Sequence, residues 1–181
     1  PETGACIERY RTSDEHWVEL IPGTPHLYDG KLITVEDRGA ARRVCVDGEA
    51  ITPDPLQVRR VIDVSDETML IAASHDPAEV KLVHVDWDGT VHTWSPAQEI
   101  YGAVVGGSTM VRSVRSMNPM ERHSTVLSNN EPVGHLVDHS EQPEGELNVT
   151  FHRCGERKLT TALVLPAAHD GVMPLPVLME R

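Results

Sequence analysis

Residues 68 to 89 decide the fold, and they read Thr68-Met-Leu-Ile-Ala-Ala-Ser-His75-Asp-Pro-Ala-Glu-Val-Lys-Leu-Val-His-Val-Asp-Trp-Asp-Gly89. Met69 to Ala73 is an apolar run that predicts one buried β-strand, and His75 to Ala78 supplies turn residues. Val80 to Val85 predicts a second strand, covered on both sides because apolar residues occupy both of its faces. Asp86-Trp87-Asp88-Gly89 then closes the unit with a turn in which glycine adopts positive φ without steric cost.

The same order of strand, turn and strand occurs twice more. Upstream it comprises Leu32 to Gly39 and Arg43 to Gly48; downstream, more loosely, it comprises Met110 to Pro119 and Ser124 to Asn130. The first strands begin near residues 32, 69 and 110, so the units are 37 and 41 residues apart. A step of about 40 residues built from short strands is typical of a β-propeller blade, which has roughly four strands. The repeat therefore predicts an all-β fold with about three propeller blades.

Further short strands are predicted around these units, and helical periodicity is weak throughout. A turn or two of helix is conceivable at Ala97 to Tyr101 and at Val133 to His139, but neither is favoured. An Asp29-Gly30 pair is a hairpin signal. The additional predicted strands are Ala5 to Tyr10, Trp17 to Leu20, Leu27 to Tyr28, Val58 to Val64, Thr90 to Trp94 and Ile100 to Val105.

The pattern of strands and turns in the sequence changes near residue 145. Val149 to Arg153 and Lys158 to Leu165 predict a hairpin, and Leu175 to Met179 is a compact apolar strand candidate. We therefore predict propeller blades over residues 1–145 and linking strands over residues 146–181, joined through Glu141 to Gly145. The first residue is Pro1 and no fourth unit follows, so we expect the sequence to be cut from something longer.

Composition excludes some classes of function. A formal net charge of −12 argues against a nucleic-acid or anionic-membrane surface, since both require basic patches. No apolar run approaches the roughly 20 residues that a membrane span needs, and no signal peptide opens the chain. Cys6, Cys45 and Cys154 are far apart and form no C-x-x-C motif, which favours free thiols in a reducing compartment. We therefore predict a cytoplasmic chain with neither nucleic-acid nor membrane partners.

Several residue patterns are similar to functional sites. Gly106-Gly-Ser108-Thr-Met110 approaches the G-x-S-x-G elbow of hydrolases, but it lacks the final glycine and is interpreted as a turn. His135 and His139 could converge on zinc if the segment were helical, but Pro132 and Gly134 disfavour a helix start there and no third ligand is near in sequence, so no metal site is predicted. Trp17, Trp87 and Trp94 could stack a sugar or peptide, but packing between blades is the favoured interpretation. No catalytic, metal-binding or cofactor-binding residue is predicted, and no cofactor.

The order and spacing of these motifs resemble a known family. Four stretches are similar to the late propeller blades of dipeptidyl peptidase IV-like members of the prolyl oligopeptidase family. They are Thr68 to Ser74, Pro77-x-Glu79, Leu82 to Gly89 and Arg115 to Pro119. The tail resembles the strand pair that leads from that propeller into the α/β-hydrolase domain. The tail residues that carry this resemblance are Phe151, Gly155, Glu156, Leu159, Leu163 to Pro166 and Leu175 to Leu178.

The resemblance implies a parent serine peptidase that cleaves short peptides after proline or a small residue, with a Ser-Asp-His triad. No position of this chain matches the triad or the family's paired glutamates, so the fragment's implied role is to gate and position peptide substrates. Its implied partners are the missing hydrolase domain and the remaining blades. Because three blades cannot close a ring, we also expect self-association. The alternatives are a free-standing protein-binding module and a sugar-active propeller enzyme, which would need paired carboxylates in a pocket.

Overall fold

The predicted strands of residues 68 to 89 are present, within a chain whose described part is built from β-structure. The computed structural model describes residues 4–95, 99–117, 120–141 and 147–180. Within these ranges the chain forms fourteen strands and no helix, so no helix there is long and apolar enough to cross a membrane. The strands are β1 (His26–Tyr28), β2 (Lys31–Arg38), β3 (Ala41–Val46), β4 (Glu49–Ala50), β5 (Gln57–Val64), β6 (Thr68–Ser74), β7 (Lys81–Asp86), β8 (Val91–Thr93), β9 (Ile100–Gly106), β10 (Thr109–Met117), β11 (Met120–Ser128), β12 (Glu131–Leu136), β13 (Leu147–Cys154) and β14 (Leu159–Pro166).

The strands form three four-stranded antiparallel sheets and one hairpin. Each sheet takes its strands in chain order, as β1 to β4, β5 to β8 and β9 to β12, and β13 pairs with β14. The sequence repeat corresponds to the second and third strands of each sheet, since β2, β6 and β10 begin at Lys31, Thr68 and Thr109. A four-stranded meander repeated in this way is the unit of a propeller blade. The predicted all-β, partial-propeller fold is confirmed.

The chain divides into two compact units. Unit 1 comprises residues 4–75 and 80–95 and contains the first two sheets. Unit 2 comprises residues 76–79 and the described residues from 99 onward, and it contains the third sheet, the β13–β14 hairpin and the loop between β6 and β7. Of the connection predicted at Glu141 to Gly145, residues 142–145 lie outside the described ranges.

The core of unit 1 follows from the apolar runs. Every residue of β6 after Thr68 is buried, and Met69 and Ile71 are completely enclosed. Leu82 and Val83 of β7 are neighbours that point to opposite faces, yet both are buried, which confirms the prediction that this strand is covered on both sides. The two sheets of this unit share one apolar cluster, to which Ile33 and Val44 of the first sheet and Val58 of the second contribute.

The predicted turns form where the sequence placed them. Asp29 and Gly30 join β1 to β2 with φ of 47° and 77°, the paired positive values that a two-residue hairpin turn requires. Gly89 has a φ of 89°, and a Cβ at this position would lie 2.5 Å from the carbonyl oxygen of Ile51. Glycine at position 89 therefore serves both the turn and a close approach of two backbones.

In unit 2, burial alternates along the strands. Tyr101 and Ala103 of β9 and Met110 and Val114 of β10 are buried, whereas Val104 on the opposite face of β9 is exposed. This period of two is the pattern of a sheet with one covered face and one open face.

Some strand predictions were wrong. Three segments have the composition of a β-strand but do not form one. They are Ala5 to Tyr10, Trp17 to Leu20 and Leu175 to Met179. A strand needs a neighbour that accepts its backbone hydrogen bonds, and these segments lie outside all four sheets. Val133 to His139 is not helical, because β12 extends to Leu136. The other helical alternative includes residues 97–98, and the third repeat unit includes residues 118–119; both pairs lie outside the described ranges.

Candidate functional site

A groove in unit 1 is the candidate site. It has a volume of about 540 Å³ and lies between the irregular segment 10–21 and the second half of β2. Such a volume is within the range of small-molecule and peptide sites, about 300–1,000 Å³. The residues that shape it include Tyr10, Trp17, Leu20, Glu36 and Arg38. We call this site the β2 groove.

Glu36 fastens one end of the irregular segment to β2. Its carboxylate accepts hydrogen bonds from Thr34 Oγ1 at 2.8 Å and from Arg38 Nη2 at 2.7 Å, and the Tyr10 hydroxyl also bonds to it. Burial acts to raise the pKa of Glu36, but the hydrogen bonds from Thr34, Arg38 and Tyr10 together lower it. Burial, reinforced by the bond to Glu36, raises the pKa of the Tyr10 hydroxyl. The pair Glu36 and Arg38 is therefore a charge-neutral anchor.

Arg42 fastens the other end of the segment. Its guanidinium lies 2.6 Å from the Glu19 carboxylate and 3.5 Å from that of Asp37. Between the two anchors, Asp14 accepts hydrogen bonds from the backbone N–H groups of His16 and Trp17, which lower the pKa of its carboxyl. The segment does not pair with a strand through its backbone, so these side-chain contacts hold it in place.

The β2 groove has the chemistry of a recognition site. The anchoring charges are paired with one another, and the indole of Trp17 is 79% exposed. Cys45, next to the Glu36 anchor, is completely enclosed, and burial raises the pKa of its thiol, which makes it a poor nucleophile. A flat indole beside paired polar groups suits a neutral ligand with a flat or extended face.

The three tryptophans have different surroundings. Trp87 stacks on Tyr28 at 6.0 Å and donates its Nε1–H to the Asp66 carbonyl at 3.0 Å, while Lys31 Nζ lies 4.5 Å from its ring centre. Since Tyr28 belongs to the first sheet and Trp87 follows β7 of the second, this contact is packing between blades, as favoured from the sequence. Trp94 meets His84 edge-on. Trp17 borders the groove and is 79% exposed, so the packing expected from the sequence does not hold for Trp17.

The histidines weighed as metal ligands lie on or beside three different strands. His135 lies in β12, where its Nδ1 is 3.4 Å from Thr125 Oγ1, and His139 follows the end of that strand. His123 is in β11 and His152 is in β13, where Thr150 Oγ1 lies 2.9 Å from its Nε2. Over residues 4–95, 99–117, 120–141 and 147–180, no three His, Cys, Asp or Glu side chains come together as a metal site.

Ser108 lies in the tight turn between β9 and β10. Gly107 has a φ of 58°, and the Ser108 carbonyl accepts a hydrogen bond from the Asn129 N–H at 2.8 Å. The side chain is exposed at the tip of the turn, in agreement with the interpretation of this segment as a turn.

Unit 2 contains an ion pair that sequence reasoning missed. Arg153 of β13 binds the Asp76 carboxylate and also donates to Thr160 Oγ1 at 2.6 Å. Asp76 in turn accepts the Ala78 N–H at 2.9 Å, which shapes the loop between β6 and β7. No local pattern joins Arg153 to a residue 77 positions earlier, so the sequence carried no signal for this contact.

Comparison with known proteins finds a solved structure with a similar architecture. No family model and no curated protein matches the chain. Among solved structures, the crystal structure of dipeptidyl peptidase 4 from Porphyromonas gingivalis is similar, with a TM-score of 0.58 and 12% identity. The match covers 78% of this chain and 22% of that peptidase chain. The chain therefore has an all-β fold similar to part of a dipeptidyl peptidase 4, and it spans less than a quarter of that protein's length.

Proposed function

We propose that this chain is a propeller segment of a serine peptidase of the dipeptidyl peptidase IV or prolyl oligopeptidase type, where it gates and positions peptide substrates. The observation that carries the proposal is the similarity to dipeptidyl peptidase 4 over 78% of the chain. The three consecutive four-stranded sheets followed by a hairpin support it, because they match the order implied by the sequence motifs.

On this proposal the chain contributes recognition and a hydrolase domain contributes the chemistry. The enclosed thiol of Cys45 is unsuited to nucleophilic attack, and the turn that carries Ser108 lacks the final glycine of the G-x-S-x-G elbow. The segment Leu175 to Leu178 is apolar, and Val177 and Leu178 are almost fully exposed, which supports an adjoining domain that covers them. That domain, further blades and peptide substrates are the proposed partners. The free thiols of Cys6, Cys45 and Cys154 support a cytoplasmic location.

The test uses the product of the complete gene that contains this sequence. We expect it to cleave an aminoacyl-prolyl chromogenic substrate and to be labelled by a serine-directed phosphonate. The matched control is the 181-residue chain alone, which we expect to be inactive and unlabelled. A complete product that neither cleaves nor reacts with the phosphonate would contradict the proposal.

A free-standing binding module is the second candidate, and the β2 groove favours it. The exposed indole of Trp17 and the anchored segment 10–21 form a recognition surface that needs no other domain. In that case the complete gene would encode no peptidase domain, and the 181-residue chain would bind its ligand with the same affinity as the complete product.

A further inference from the structure

One side of β2 is only partly covered by a neighbouring strand. β1 pairs with β2 from Lys31 to Ile33, whereas β3 pairs with it continuously as far as Arg38. Within the described chain, no other strand pairs with residues 34–38 on the β1 side. This stretch contains no proline, and a regular, uncovered stretch of strand is a template for the addition of another strand. We call the uncovered side of residues 34–38 the β2 edge.

The backbone groups of two residues point out of the β2 edge. The Leu32 carbonyl accepts a hydrogen bond from the Asp47 N–H just beyond β3, so the backbone groups of Leu32 point toward β3. Because this direction alternates along an antiparallel strand, the N–H and C=O groups of Ile33, Val35 and Asp37 point toward β1. β1 covers Ile33 but does not reach the other two. Two donors and two acceptors therefore have no backbone partner among the described residues.

The β2 groove lies along the β2 edge. Residues 34–38 line the groove on one side, and the irregular segment lines it on the other. The two anchors of the segment lie on opposite faces of the sheet. Tyr10 bonds to Glu36, whereas Glu19 bonds to Arg42, which lies opposite Asp37 in the ladder. Because neighbouring residues of a strand point to opposite faces, the segment is fastened on both sides of the strand, and the groove lies between the segment and the edge.

We propose that the β2 groove binds an extended, uncharged peptide of about five residues, whose backbone adds to the β2 edge as a further strand. Five residues at about 3.4 Å each match the length of the edge. An extended peptide supplies the alternating donors and acceptors that the edge requires. The inference rests on the proposed function, since it names the place where a gated peptide is held.

The charges of the groove favour an uncharged peptide. Glu36 is paired with Arg38, and Glu19 is paired with Arg42. A charged peptide side chain would lose its hydration in the groove and would have to compete with these pairs for a partner. Recognition through the peptide backbone needs no charge, because the β2 edge offers both N–H and C=O groups.

Trp17 and Leu20 supply an apolar contact for the peptide side chains. Both side chains are largely exposed and both line the groove. The side chains of an added strand point alternately to its two faces, so every second one can meet this wall. An aromatic peptide side chain that stacks on the Trp17 indole would fix the register of the added strand.

Backbone methylation of the peptide tests the addition of a strand. The probe is a five-residue peptide of uncharged residues with a central tyrosine, acetylated and amidated at its ends. Its binding to the 181-residue chain is measured by calorimetry. Only alternate N–H groups of an added strand point to the edge, so N-methylation at residues 2 and 4 and at residues 1, 3 and 5 separates the two sets. We expect one set to lower the affinity about tenfold or more and the other to have little effect.

Hydrogen exchange locates the added strand. We expect the peptide to slow exchange of the Val35 and Asp37 amides, while the amides of Thr34 and Glu36, which point toward β3, exchange as in the free chain. Trp17→Ala should weaken binding roughly three- to tenfold, and Trp17→Phe should restore most of the affinity. The matched control is Leu27→Ala, an exposed position on β1 outside the groove, which should leave the affinity unchanged.

Several results would overturn the inference. They are equal effects of the two N-methylated peptides, binding without protection of the Val35 and Asp37 amides, and absence of binding, as expected if another part of the parent protein fills the groove. The inference and the proposed function fail separately. Peptide binding to the 181-residue chain without cleavage by the complete gene product contradicts the proposed function alone, and cleavage without such binding contradicts this inference alone.

Discussion

Arg153 of β13 and Asp76 of the β6–β7 loop form an ion pair, although 77 residues separate them in the chain. Both side chains are partly exposed, at 51% and 38%, and Arg153 is further tied to Thr160 of β14. The contact joins the hairpin to residues 76–79, a loop of the same compact unit.

Removal of this pair should have a small effect. Since exposed ion pairs contribute about 0.2–1 kcal/mol, we expect a coupling energy in that range from the cycle of Arg153→Ala, Asp76→Ala and the double variant. The measurement is urea unfolding at low and high salt, with a smaller coupling at high salt. Arg157→Ala, at the turn of the same hairpin, is the matched control. A coupling energy of zero at low salt would contradict the assigned contact.

Gly23→Ala should detach the irregular segment from β5. Gly23 has a φ of 87°, and a Cβ there would lie 1.9 Å from the carbonyl oxygen of Val61. The neighbouring Pro22 carbonyl accepts the Val61 N–H at 3.0 Å, so this hydrogen bond would be lost as well. We expect a lower melting temperature and faster proteolysis within residues 4–25.

Gly30→Ala is the control for Gly23→Ala. Gly30 also has positive φ, at 77°, but a Cβ there would meet nothing within 4 Å. Its substitution therefore carries only the backbone strain, about 1–2 kcal/mol for a non-glycine residue. If both variants lose the same stability, the close approach of Gly23 to Val61 is not significant.

These contacts show which parts of the structure can be predicted from the sequence. The strands of residues 68 to 89 and the Asp29-Gly30 turn were predictable, because strand periodicity and turn chemistry are local properties of the chain. The anchors Tyr10 to Glu36 and Glu19 to Arg42 were not predictable, because they join polar residues whose proximity only the fold creates. Ala5 to Tyr10 has the composition of a strand, but no neighbouring strand pairs with it. Composition does not show whether such a neighbour is present.

Tyr101 should titrate late in an alkaline titration. Burial, together with its hydrogen bond to Glu99, raises the pKa of Tyr101 to about 12. Because the folded-state pKa lies above the ordinary value of about 10, Tyr101 contributes stability that is fully present below pH 10 and is lost between pH 10 and about 12. Absorbance at the tyrosinate band should therefore show one late step.

Tyr101→Phe is the control for that titration. The variant keeps the ring in the covered face of the third sheet and removes only the hydroxyl. We expect the latest step of the titration to disappear and the stability to depend less on pH between 10 and 12. A late step that persists in the variant would assign it to Tyr10 or Tyr28, whose pKa values are also raised.

The measurement that tests the central claim most directly is cleavage by the complete gene product of a series of substrates of increasing length. The series runs from an aminoacyl-prolyl dipeptide derivative, through unstructured peptides, to a folded protein with the same cleavable end. If the chain is part of a propeller that gates a peptidase, kcat/KM should fall steeply with substrate size and the folded protein should resist cleavage. Equal cleavage of the folded protein and the short peptides would contradict the account.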